Sequence, residues 1–196
     1  MLRAGSAEED DVRIAMKTIA SRVVYKNRWM TVREDQIERA DGSPGIYSVV
    51  DKNPAAMIIA LDGTLEDGHL YLIEQFRYPV GERFLEFPGG SWEDNPGAHP
   101  SELARGELRE ETGLIAGKLD HVGFLYFAYG ITSQGFHIYL ATELTEGEAT
   151  PEHTEQDLVV KRVGVREFEE LCREGVIKDS ASISAWALLK ARMHLL

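Results

Sequence analysis

The segment Gly106-Glu107-Leu108-Arg109-Glu110-Glu111-Thr112-Gly113-Leu114 constrains this chain most, because it sets three carboxylates at relative positions 0, +3 and +4 of a helix. On such a helix Glu107, Glu110 and Glu111 share one face, while Arg105 and Arg109 point to the far side. Like charges this close repel by about 1 kcal/mol in water and about 4 kcal/mol at an effective dielectric near 20. A partly buried triple carboxylate therefore calls for a cation. A hard oxygen donor set favours Mg²⁺, with Mn²⁺ as a substitute, because Mg²⁺ accepts a few carboxylates while keeping waters and substrate phosphates. The competing interpretation is a solvated Glu-rich helix face, since Glu is a good helix former.

The preceding segment shifts the balance. Leu85-Glu86-Phe87-Pro88-Gly89-Gly90-Ser91-Trp92-Glu93-Asp94 reads as a short apolar strand that breaks into a Gly-rich loop, which exposes backbone amides and carbonyls. Pro100-Ser101-Glu102 then starts a helix and Gly113 stops it, so strand, loop and acidic helix follow in order.

Strand, loop and helix together resemble the Nudix hydrolases. Their signature runs Gly, five residues, Glu, seven residues, Arg-Glu, an apolar residue, any residue, Glu-Glu, any residue, Gly and an apolar residue. Glu107, Leu108, Glu110, Glu111, Gly113 and Leu114 take the places of its second half. The resemblance implies that Glu107, Glu110 and Glu111 are the metal ligands, joined by the carbonyl of Gly89 just before the signature glycine, Gly90. The first half departs from the pattern: the loop from Gly90 is two residues longer, the signature Glu falls on Ala98, and the signature Arg falls on Gly106. In the family those two residues mainly brace the loop against the helix. Arg105 lies about 100° further round and cannot simply replace an arginine at 106. Glu93 and Glu102 are the residues placed to compensate.

The hydrophobic content of the 196 residues suffices for one main domain and a small accessory one. No apolar run approaches the roughly 20 residues that cross a bilayer, and Met1-Leu2-Arg3-Ala4-Gly5 leads into charges, so a cytoplasmic location without membrane contact is expected. Cys172 is the single cysteine, which excludes an internal disulfide and a thiolate metal site and reads as a half-buried helix position. A formal net charge of −12 argues against a nucleic-acid polymer as partner but permits a small anionic substrate, because a metal and local arginines set the field inside a pocket.

Residues 1–15 are acidic, without a core pattern, and read as a mobile tail. Residues 16–54 carry β signals in Arg22-Val23-Val24-Tyr25, Trp29 to Ile37 and Ile46-Tyr47-Ser48-Val49-Val50, with turns at Asp41-Gly42 and Pro44-Gly45. Residues 55–196 hold further strands at Ala56–Leu61, Leu70–Arg77, Val122–Phe127, Phe136–Ala141 and Leu158–Val163, and helices at Val165 to about Arg173 and Ser182 to about Met193. In the last helix Ile183, Trp186, Leu189 and Met193 form an expected core stripe. The fold class is α/β (α+β), a mixed β-sheet flanked by helices as in the Nudix α/β/α sandwich, with a small N-terminal antiparallel β unit.

Beyond the signature, Tyr25-Lys26-Asn27-Arg28-Trp29, Glu74-Gln75-Phe76-Arg77-Tyr78-Pro79-Val80 and Phe87-Pro88-Gly89-Gly90 resemble the ADP-ribose pyrophosphatase branch of the family. That resemblance implies a homodimer completed by N-terminal strands, and a catalytic carboxylate on the long loop Thr150-Pro151-Glu152-His153-Thr154-Glu155-Gln156-Asp157. The candidate base is Glu155, then Asp157, then Glu152, with Glu111 also counted among the catalytic groups. Arg77 is the candidate phosphate or ribose contact, Trp29 a candidate stacking surface for adenine, and Gly90 part of the substrate loop. His121, His137 and His153 lack ligand spacing and read as structural or exposed. The expected reaction is Mg²⁺-dependent hydrolysis of the pyrophosphate in a nucleoside diphosphate linked to a second group, ADP-ribose foremost, to AMP and ribose 5-phosphate. GDP-sugars, dinucleoside polyphosphates and FAD share that bond, and a nucleotide-binding module without turnover is the alternative class.

Overall fold

The computed structural model describes residues 16–93, 95, 97–149 and 157–193. The chain divides between Asp51 and Lys52 into two compact units. In the N-terminal unit β1 (Met16–Lys26), β2 (Thr31–Arg39) and β3 (Pro44–Asp51) form a three-stranded antiparallel sheet in that order. Few side chains here are buried: Ile37 and Asp35 are, while Ile19, Val23, Val24, Tyr25 and Ile46 are each more than half exposed. β1 begins at Met16, ahead of the first β signal at Arg22, and its pairing to β2 runs from Met16 opposite Arg39 to Lys26 opposite Thr31.

The second unit is built on a mixed sheet of order β10-β5-β4-β9-β8, with β6 paired to β5 and β7 to β4. Its strands are β4 (Ala55–Asp62), β5 (His69–Arg77), β6 (Glu82–Glu86), β7 (Gly89–Gly90), β8 (Leu114–Tyr126), β9 (Gly135–Glu146) and β10 (Val159–Gly164). β4 and β9 are parallel, and the other ladders are antiparallel. Helix α1 (Pro100–Thr112) covers one face, and α2 (Val165–Arg173) and α3 (Ser180–Arg192) cover the other.

The pleat of β4 shows why the sequence requires two layers. Ala56, Ile58 and Ala60 join Leu103, Ala104 and Leu108 of α1, whereas Ala55, Met57, Ile59 and Leu61 join Phe168 of α2 and Ala185, Trp186 and Leu189 of α3. A strand buried on both faces reads as a continuous apolar run, as Ala55 to Leu61 does. β8 and β9 extend well beyond the apolar segments that mark them, because a long antiparallel ladder carries their polar ends.

The expected stripe on α3 is corrected. Ala181, Ser182, Ala185, Trp186 and Leu189 form the buried face, and Ile183 is 39 % exposed. Asp179 caps the helix by accepting from the N–H groups of Ala181 and Ser182, which starts α3 two residues early and turns Ser182 inward. There its hydroxyl accepts from the Phe87 N–H at 2.8 Å, tying the strand that leads into the Gly loop to α3.

Candidate active site

Helix α1 presents its acidic face to the Gly loop. His99 caps it, Pro100 takes the first turn, and Gly113 ends it in the left-handed region at φ 74°, donating its N–H to the Arg109 carbonyl. Leu103, Ala104 and Leu108 anchor the apolar side, and that rotation buries Glu107 and Glu111 to 6 % and 3 % exposure. Glu110 is half-buried, and Arg105 and Arg109 are exposed as their helical phase requires.

The loop meets these carboxylates with its backbone. The Gly89 N–H donates to Glu111 Oε2 at 2.7 Å. A Cβ at Gly90 would lie 2.9 Å from both oxygens of Glu107, and one at Gly89 would press on the Ala56 carbonyl and lie 2.9 Å from Met57 Cα. Both glycines are thus required by close approach, to the carboxylate in one case and to β4 in the other. As the side chains stand, no three His, Cys, Asp or Glu among the described residues converge into a closed metal-ligating group. Glu107 and Glu111 instead lie against successive glycines of the loop. The donor set, all oxygen and mostly carboxylate, fits a hard divalent cation.

Arg77, at the end of β5, stands beside this face. Its Nε and Nη2 donate to the two oxygens of Glu86 at 2.9 and 2.7 Å, a paired geometry that fixes the plane of the guanidinium. Burial works against the charge on Arg77, but the Glu86 hydrogen bonds, with the charges of Glu86, Glu111 and Asp179, more than offset it and hold the pKa up. Burial pushes the Glu86 carboxyl up, and Arg77 counters only part of that. The Arg77 side chain remains 46 % exposed, so the pair positions a cation and leaves it accessible.

The other candidates are dispersed. Glu152 and Glu155 lie outside the described residues. Asp157 is exposed and held by Arg83, which donates from Nη1 to Asp157 Oδ2 at 2.5 Å and from Nη2 to its carbonyl at 2.8 Å. Trp29 belongs to the N-terminal unit and is 55 % exposed rather than packed into it. Cys172 is half-buried, and burial first and Glu169 second push its thiol up, away from nucleophile chemistry.

Residues 16–50 match the nucleoside diphosphate sugar hydrolase N-terminal domain, and residues 51–186 match the NUDIX domain. The chain is a Nudix hydrolase. Similar proteins include the ADP-ribose pyrophosphatase of Mycobacterium tuberculosis (strain ATCC 25618 / H37Rv), 30 % identical over 169 residues, which span 86 % of this chain and 80 % of that one. The ADP-ribose pyrophosphatase of Bacillus subtilis (strain 168) is 28 % identical over 180 residues, covering 91 % and 95 % respectively. A crystal structure of an ADP compounds hydrolase shares the fold at a TM-score of 0.79 and 23 % identity, covering 91 % of this chain and 94 % of that one.

In this Nudix hydrolase the departures at Ala98 and Gly106 have structural counterparts. Trp92 occupies the space beside Gly106, where a Cβ would fall inside the radius of the indole Cζ2 and 2.8 Å from Cη2. Glu93 accepts from Asn53 Nδ2 and from the Ser91 hydroxyl, both at 2.9 Å, and so ties down the loop, whereas Glu102 is exposed on α1. Sequence reasoning missed the Glu86 partner of Arg77: the β5–β6 register sets Glu82 opposite Arg77 and Ile73 opposite Glu86, and the long guanidinium side chain reaches back along the ladder to Glu86. It also separated His121 from His137. Their ring nitrogens are 3.2 Å apart on neighbouring strands, beside Tyr139 and Phe124.

Proposed function

We propose that the chain hydrolyses the pyrophosphate bond of ADP-ribose, releasing AMP and ribose 5-phosphate, in a Mg²⁺-dependent reaction. The observation that carries this reading is the pair of buried carboxylates, Glu107 and Glu111, seated on Gly89 and Gly90. The choice of ADP-ribose is supported by two relatives that carry the name ADP-ribose pyrophosphatase and match most of this chain.

Glu107, Glu110 and Glu111, with the Gly89 carbonyl, would hold the cation. When bound, it neutralises pyrophosphate charge and makes a coordinated water more acidic. Arg77, oriented by Glu86, binds a phosphate oxygen through the donors that Glu86 does not use. A loop carboxylate, Glu155, takes the proton from the attacking water as its oxygen bonds to phosphorus and the bridging P–O bond breaks. Asp157 is already engaged by Arg83, which leaves its carboxylate less available to an attacking water. A homodimer, in which the exposed face of β1 is covered and Trp29 stacks on adenine, completes the site.

A hydrolysis screen with Mg²⁺ across ADP-ribose, ADP-glucose, a GDP-sugar, a dinucleoside polyphosphate and FAD, following AMP or GMP release, tests the proposal. ADP-ribose should give the highest kcat/KM. Higher turnover of another substrate would move the specificity, and tight ADP-ribose binding without turnover would make the chain a binding module.

A further inference from the structure

We propose that Trp92 is a positioning residue for the carboxylate site, and that Gly106 is the notch that receives it. This rests on the metal-dependent reading of Glu107 and Glu111. Three observations converge on the pair. A Cβ at Gly106 would overlap the indole at Cζ2 and stand 2.8 Å from Cη2 and 3.1 Å from Cε2, so the ring lies flush on the helix backbone. Gly106 immediately precedes Glu107, and Trp92 follows Gly90 by two residues, so the contact joins loop and helix next to the place where their catalytic groups meet. The same loop is tied down by Glu93 through Asn53 and Ser91, and Trp92 adds an apolar attachment to α1 beside the contacts that Gly89 and Gly90 make with Glu111 and Glu107.

The physical effect is one of register. Glu107 and Glu111 depend on the loop for close backbone partners, and a shift of the loop by a fraction of an ångström changes both at once. An apolar ring wedged into a glycine notch resists such a shift without needing a buried charge pair. Trp92 and Ala98 also line a cavity of about 200 Å³ with Asn53, Leu103 and His137, so a displaced indole has space to enter. Alanine at 106 would therefore expel the ring into that cavity rather than unfold the helix, and alanine is the better helix former.

The test compares Gly106→Ala, Trp92→Ala, the double variant and Trp92→Phe in the full-length protein. One readout is amide exchange of the Phe87–Ser91 segment in metal-free protein, and the other is Mn²⁺ binding followed by electron paramagnetic resonance. Gly106→Ala should speed exchange and weaken Mn²⁺ binding, each by about fivefold or more. The double variant should match Trp92→Ala within about twofold, because both lack the same contact, and Trp92→Phe should recover most of the loss. Wild-type exchange and Mn²⁺ affinity in Gly106→Ala, or effects that multiply in the double variant, would overturn the proposal. Should Gly106→Ala fold poorly, Trp92→Ala and Trp92→Phe decide the matter through the same two readouts. Failure of the wild-type protein to hydrolyse ADP-ribose would overturn the functional reading instead, and the exchange measurement does not depend on it.

Discussion

Gly89 donates its backbone N–H to Glu111 across 2.7 Å, joining residues 22 apart in sequence and seating the most buried carboxylate of α1 on the turn that leaves β6. A Cβ at Gly89 would meet backbone atoms of β4, which cannot swing aside, whereas one at Gly90 would meet the Glu107 carboxylate, which can. Gly89→Ala is therefore expected to cost about 1–3 kcal/mol of stability, lowering Tm by about 2–4 °C for each kcal/mol. Gly90→Ala should leave Tm close to wild type and lower metal-dependent turnover, as Glu107 is displaced. Calorimetry and kinetics on both variants check the contrast, and equal Tm losses would contradict it.

Acidification should weaken the fold through His137. Burial first, and the nearby His121 and His99 second, disfavour its cation and hold its pKa below the ordinary 6.5. The unfolded chain then binds more protons as pH falls below that value, so the stability His137 contributes is complete above about 6.5 and is lost as pH falls through the folded-state value. Glu86, raised by burial, works in the opposite direction, so the comparison must be with a variant. Between about pH 7.5 and 5.5, the urea midpoint of the wild type should fall more than that of His137→Gln. Equal falls would remove His137 as the cause.

The strand, Gly loop and acidic helix were legible in sequence because each is written locally: a cap and proline start α1, Gly113 ends it, and period 3.6 aligns its glutamates. The meeting of His121 with His137 was not, because it depends on the register between two strands, and that of Arg77 with Glu86 was not, because the guanidinium reaches past its register partner Glu82 to the far end of the β5–β6 ladder. Ile183 was misplaced because its spacing from Trp186 fits a helical stripe, while the Asp179 cap and the inward Ser182 rotate the buried face away from it. The lack of a side chain at Gly106 read as a lost brace. It is the space that Trp92 fills, and no local pattern announces a contact between residues 14 positions apart.

The loop base is expected to show itself in kcat. Glu155→Gln should lower kcat by about 10² to 10⁴ with little change in KM and should still bind a non-hydrolysable ADP-ribose analogue with Mg²⁺. A loss below about threefold would pass the role to Asp157 or Glu152. The Arg83 contact already occupies the Asp157 carboxylate, so Asp157→Asn should be a milder change than Glu155→Gln.

The exposed apolar side chains of β1, with Val23 at 62 % and Val24 at 56 %, call for a partner surface, since a three-stranded sheet this open buries little of its own. Sedimentation equilibrium should give a dimer at micromolar concentration. Val23→Lys with Val24→Glu should yield monomers with reduced turnover. A fully active wild-type monomer would remove both the dimer and the role of Trp29 in it.

Turnover of ADP-ribose by the wild type and by Glu111→Gln, at a series of Mg²⁺ concentrations with AMP release followed directly, tests the central claim. The wild type should release AMP only when the cation is present, and Glu111→Gln, with its far-ultraviolet spectrum unchanged, should lose at least about 10³ in kcat at every Mg²⁺ concentration. Wild-type kcat in Glu111→Gln, or AMP release that persists with the cation chelated, would contradict the assignment of the α1 carboxylates as the metal-holding, catalytic centre.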